Sequence, residues 1–163
     1  DRLPAGIVSA NGRIEAASVD VATEVPGRVT EIAVREGDRV ARDQTVARLD
    51  PATAEAAVNR AKAEAESARQ AVAVAEAARA AQEAELTFAR QEFDRTAALA
   101  DADVGSHQAH QQAQQALAAA EAGLASRTAG VAEATAAVGA AEAALDSARI
   151  ALARTVVAAP VAG

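Results

Sequence analysis

The sequence predicts an α+β fold in which a long antiparallel two-helix hairpin is inserted in a small β domain. Three observations carry this expectation. First, 52 of the 163 residues are alanine, with two Phe and no Trp or Tyr. A compact globular core needs bulky side chains to fill it, so the small apolar residues point instead to helices packed at close range. Second, no Gly or Pro interrupts residues 52–100. Third, β-branched residues gather before residue 50 and again after residue 154, on either side of the helical stretch.

Residues 1–49 form the first region. Asp1 to Asn11 is a lead-in segment. Arg13 to Val25 is rich in strand formers, and Pro26-Gly27 ends that run. Val29 to Val34 alternates apolar and polar residues with period two, as a half-buried strand does. Glu36-Gly37-Asp38 is a turn signal. Val40 starts a short strand, Ala41 to Gln44 turns, and Val46 to Leu49 makes another. Such a meander is too small to be stable alone.

Residues 50–153 form the second region, the hairpin. Asp50 is a capping residue, and Pro51 suits the first helical position because its missing N–H has no helical partner there. Helix one is expected over about 51–100, the turn at 101–105 and helix two over about 106–153, with Ser106 available as a cap. Apolar residues recur in steps of three and four along both helices, the pattern of a coiled-coil seam. In helix one they are Val58, Ala61, Ala65, Ala68, Val72, Ala75, Leu86, Ala89, Phe93 and Ala97. In helix two they run from Ala113 through Leu117, Ala120, Leu124, Val131, Val138 and Leu145 to Leu152, and only Arg127 spoils them. Two helices of equal length joined by a short turn fold back on each other. With the turn near 105, facing residues have numbers totalling about 210. That register sets Arg79 and Gln82 opposite Val131 and Arg127, as a polar layer in which Arg127 reaches Glu83 or Glu85, or else snorkels to solvent. Gly123, Gly130 and Gly139 in helix two each cost about 1 kcal/mol relative to Ala; close approach of a neighbour or simple tolerance would account for them.

Residues 154–163 form the third region. Thr155 to Gly163 is again β-branched and ends in Pro-Val-Ala-Gly. A strand needs a partner, and the hairpin brings this segment back beside residues 14–50.

Residues 11–51, NGRIEAASVDVATEVPGRVTEIAVREGDRVARDQTVARLDP, followed by a long α-hairpin and the return segment ARTVVAAPVAG, resemble a split lipoyl-like domain carrying an inserted hairpin. This order is similar to that of periplasmic adaptor subunits of the HlyD type, also called membrane fusion proteins, and the resemblance spans essentially the whole chain. It implies a periplasmic protein, associated with the inner membrane through a segment outside these residues. Such a protein links an inner-membrane transporter to a TolC-like outer-membrane channel, as a hexamer in the assembled pump. The opening residues resemble adaptors of ABC-type exporters. The resemblance also implies that the second lipoyl half continues beyond Gly163. Asp43 stands where the family commonly has glycine before Gln44; aspartate tolerates left-handed backbone better than most residues.

Many adaptors of this kind carry, at the hairpin tip, an Arg, a Leu four residues on and a Ser seven further. Arg95, Leu99 and Ser106 match that spacing and fall at the expected tip. The resemblance implies that they dock on the channel, with Leu99 as the apolar contact and Arg95 offering a fork of donors. Plainer roles are also open: a solvated arginine, a leucine sealing the seam and a helix cap.

Other chemistry is not indicated. A lipoyl or biotinyl carrier needs a lysine at a β-turn tip, and the single lysine, Lys62, falls in helix one. His107 and His110 share a helix face, but two ligands do not close a metal site, and they are expected as solvated or interfacial tip residues. The chain has no cysteine, so it has neither disulfide nor thiolate site. The glycines form no phosphate-binding motif. No nucleophile–base pair stands out, so neither catalysis nor a cofactor is expected. A formal net charge of -7 disfavours nucleic acid, whose binding rests on phosphate neutralisation. No apolar run approaches the ~18 residues of a membrane span. Export of small molecules or proteins as a pump adaptor is thus one reading. A stand-alone coiled-coil scaffold without a transport role is the other.

Overall fold

The computed structural model describes residues 18–102 and 106–163. Two helices, α1 (Ala52–Asp101) and α2 (His107–Ala153), pack antiparallel as a hairpin. Three short strands close its base: β1 (Val29–Ile32), β2 (Thr45–Leu49) and β3 (Val156–Ala158). The sheet order is β1-β2-β3, with both pairs antiparallel. The chain therefore enters the hairpin from the central strand and returns from it to that strand's free edge.

The return segment pairs as its composition predicts. Ala47 faces Val157 and Arg48 faces Val156. The pairing runs on past both strand ends, because Leu49 N–H donates to Thr155 O (2.8 Å) and Ala159 N–H to Gln44 O (2.9 Å). Val40 and Gly163 then exchange two backbone hydrogen bonds of 2.8 and 3.0 Å. Val40 thus meets the returning chain without forming a strand of its own.

The strand expected over 13–25 is not found in its described part. Residues 18–25 have no regular secondary structure beyond a bend at Glu24-Val25, and residues 13–17 lie outside the described residues. β-Branched content favours a strand only where a partner edge is offered. Here residues 18–25 take neither outer edge of the sheet, and β2 is already flanked by β1 and β3. Glu24 instead reaches the end of α2 and pairs with Arg154 at 2.9 Å.

The two turns are built by their side chains. Asp38 Oδ2 accepts from Arg35 N–H at 2.8 Å, and Gly37 sits at φ 91°. Gln44 Oε1 accepts from Ala41 N–H at 2.8 Å, and Asp43 holds φ 64°. Asp43 is thus in the left-handed region that its short polar side chain tolerates.

Asp50 couples sheet to helix. Its N–H donates to Arg28 O (2.8 Å), while its Oδ1 accepts from Ala52 N–H (3.1 Å), one of the amides the first helical turn leaves free. The core at this junction is small: Leu49, Thr155, Val157 and Ala159 are buried. Val29 and Ile32 are open to solvent and Val34 is half-buried, but Leu49 is enclosed, lying against Gly27.

Along the hairpin the seam follows the three-and-four periodicity. Ala61, Ala65, Ala89, Ala113, Ala120 and Leu145 are buried, and the other apolar seam positions are half-buried. Two cross-helix ion pairs report the register: Arg69 with Glu142 at 2.6 Å and Arg90 with Glu121 at 3.7 Å. Both pairs of numbers total 211, against about 210 from the turn geometry. At the polar layer Arg127 follows the solvent alternative rather than reaching a glutamate. Arg79 pairs with Glu83 on its own helix at 3.3 Å, and Gln82 donates to Glu85 at 3.0 Å. Both carboxylates are engaged locally, and Arg127 is exposed with no ion pair among the described residues. The buried Arg79 Nε is near Glu83 but not aimed at it, so this contact is an ion pair without a hydrogen bond.

Candidate functional site

Near the far end of the hairpin one small cluster joins the two helices. Thr96 is buried in the seam, three residues beyond Phe93. Its hydroxyl donates to Phe93 O at 2.9 Å, so its lone pairs are what the His110 ring can address, with Nδ1 3.5 Å away. The His110 ring lies against Phe93, centroids 5.0 Å apart and tilted by 33°. His110 is therefore a half-buried packing residue rather than a solvated one, whereas His107 is exposed, and both had been expected as solvated or interfacial. Thr96 was missed in the sequence because a hydroxyl at a seam position reads as polar. The step of three from Phe93 was the available signal.

Outside this cluster stand the three expected tip residues. Arg95 is on α1, and its guanidinium grips Glu92 one turn back, Nε to Oε2 at 3.1 Å with a second contact from Nη2 to Oε1. That hydrogen bond, and then the carboxylate's charge, raise the arginine pKa above its ordinary value. Leu99 lies one turn further along the same face of α1 and is 44% exposed, so it does not seal the seam. Ser106 is the N-cap residue of α2, exposed and with extended backbone, but its side chain makes no capping hydrogen bond. Ser106 thus holds the cap position expected of it, without a side-chain capping bond to α2. Arg95 and Leu99 share a helix face, while Ser106 opens the next helix, beyond residues 103–105, which are not among those described.

Lys62 is exposed on α1, not at a strand turn. The described residues contain no group of three or more His, Cys, Asp or Glu placed to hold a metal. At the opposite end, Val19, Val21, Val34, Val40, Val46 and Val161 line an open apolar groove beside the sheet. No described helix is long and apolar enough to cross a membrane.

The family described as "RND MFP, barrel-sandwich hybrid domain" matches residues 17–163. The chain belongs to the RND membrane fusion protein family. Among solved structures, MacA from Actinobacillus actinomycetemcomitans aligns with 22% identity and a TM-score of 0.50, over 90% of this chain and 41% of that one. At this identity the likeness shows the fold alone. A structure described as the periplasmic adaptor protein EmrA aligns with 14% identity and a TM-score of 0.37, over 88% of this chain and 63% of that one. The chain thus spans less than two thirds of either protein's length. No curated protein sequence matches it. The match spans both elements seen here, the small sheet and the hairpin inserted in it.

Proposed function

We propose that the chain is the hairpin-bearing part of a periplasmic adaptor that links an inner-membrane transporter to a TolC-like outer-membrane channel for export. The single observation that carries this reading is that both ends of the hairpin root in one sheet, at Leu49 and Thr155. A 50-residue helix rises about 75 Å at 1.5 Å per residue. The sheet therefore holds a spacer whose binding end is displaced by that length. Residues 50–153 act as the spacer, and the described residues on either side of it, 18–49 and 154–163, form its base. A plain scaffold has no use for a return strand hydrogen-bonded back to the strand that launched the hairpin.

The tip docks through Leu99, with Arg95 and Ser106 beside it. Leu99 offers apolar surface, Arg95 has donors left over from Glu92, and Ser106 offers an exposed hydroxyl. The work is geometric and involves no catalytic step or cofactor. Export in this reading runs through a ring of copies, and the inner-membrane partner is of the ABC type, as the opening residues suggest. Co-purification of the full-length protein with its transporter tests that last point. The tip is tested by Leu99→Asp. Because Leu99 is outside the seam, melting should shift by no more than a surface substitution does, within about 0.5 kcal/mol. Channel retention in a pull-down should fall about tenfold, the equivalent of losing one apolar anchor. Unchanged retention together with a lowered melting temperature would overturn the docking role.

A further inference from the structure

The hairpin seam is sealed at its two ends and open between them. At the base Ala61, Ala65 and Leu145 are buried, and towards the tip Ala89, Thr96, Ala113 and Ala120 are. Every residue of α1 between Ala65 and Ala89, and every residue of α2 between Ala120 and Leu145, is half-buried or exposed. These two stretches face each other. Cross-helix partners total 211 at Arg69–Glu142 and at Arg90–Glu121, which sets Ala65 level with Asp146 and Ala89 level with Ala122. From Ala65 to Ala89 the unsealed length is about 36 Å at 1.5 Å per residue.

Composition and bonding weaken the same stretch. Gly123, Gly130 and Gly139 all fall inside it, and glycine gives up more backbone freedom in a helix than any other residue. A Cβ at Gly130 would meet nothing within 4 Å. A cleft of about 430 Å³ opens there, between Ala75 and Ala78 on α1 and Arg127 and Glu133 on α2. Its lining lacks the dispersion contacts that a filled seam makes. The buried Arg79 Nε has no hydrogen-bond partner, and such a group is costly to leave unpaired. Three threonine hydroxyls donate to the carbonyl one turn back: Thr87 to Glu83 O and Thr128 to Leu124 O at 2.9 Å, and Thr135 to Val131 O at 2.8 Å. Bonds of this kind loosen a helix and bend it.

We propose that residues 66–88 and 121–144 form a hinge in the middle of the hairpin, about which the tip half swings as a unit against the base half. A rod of two helices bends only where both yield, and here both are weak at the same level. A stretch with little buried surface opens at lower free energy than the packed segments beside it. The swing changes the direction of Arg95 and Leu99 while β2 and β3 stay paired. This inference rests on the hairpin itself and not on docking at the tip.

Hydrogen exchange followed by mass spectrometry on the full-length protein tests it. Amides of 66–88 and 121–144 should exchange about tenfold faster than those of 89–97 and 113–120. Gly130→Ala combined with Gly139→Ala adds only methyl groups in open space, so the variant folds; it should slow the middle and leave the flanking segments unchanged. The chain has no cysteine, so spin labels at Ala56→Cys and Gln91→Cys, both exposed positions, report the bend directly. They bracket the hinge at about 52 Å, and their distance distribution should be broad in the parent and narrower with the two alanines. Exchange as slow in the middle as in the flanks overturns the proposal. So does an equal slowing of all segments by the two alanines, or a distance distribution of the same width with and without them.

Discussion

Asp43 shows how a single residue sustains a turn. Its φ of 64° is the conformation glycine adopts without strain, and its carboxylate stays in solvent 3.9 Å from Arg42. A β-branched side chain there has no such tolerance. Asp43→Val is expected to cost about 1–2 kcal/mol, and Asp43→Gly to change stability by a few tenths at most. Thermal unfolding of the two variants checks this, and equal melting temperatures would remove the backbone argument. Asp50 is legible in the same way: Asp50→Ala removes the acceptor for Ala52 N–H and should cost about 1 kcal/mol. Not every residue could be read. Arg127 breaks the apolar pattern, and sequence alone offered it Glu83, Glu85 or solvent without deciding among them. Which partner a carboxylate takes depends on rotamers, and both turned to their own helix.

The helices were legible because their signal is local and repeated. Apolar steps of three and four recur over each helix and pick out the shielded positions, Arg127 excepted. The seam is tight because it is built on alanine. Ala65 is 1% exposed and lines the same groove as Leu145 across the hairpin. Ala65→Leu should push the helices apart and cost about 1–3 kcal/mol; a gain in denaturation midpoint would show that the seam has spare room. The three helix-two glycines divide on inspection. A Cβ at Gly123 would sit 2.9 Å from Gln82 Nε2, while nothing lies within 4 Å of one at Gly130 or Gly139. Gly130→Ala and Gly139→Ala should each gain up to about 1 kcal/mol, and Gly123→Ala less, because Gln82 must first swing aside. Close approach therefore explains only Gly123, and it comes from within the hairpin. The strands were less legible. Three to five residues hold little pattern, and pairing is decided by edges far away in sequence, which is why residues 18–25 have strand composition without a strand.

At the scale of the whole molecule, the meaningful feature is that β2 receives β3 on the edge opposite β1. The two ends of a hairpin more than 100 residues long are thereby held in register by a few hydrogen bonds at Leu49, Ala159 and Gly163. Composition gave this away, since a β-branched segment after a long helical insertion needs a partner. The details of the tip did not follow from composition, because the Phe93–Thr96–His110 cluster joins residues on two helices. The account makes the sheet a fixed base and the far end of the hairpin the part that engages a channel. Amide exchange of the full-length protein, with and without the TolC-like channel, tests that division most directly. Added protection should be confined to the last turns of α1, from about Arg95, and the first turns of α2, from Ser106. Protection centred on the sheet, or none at the tip in a sample shown to bind the channel, would contradict it.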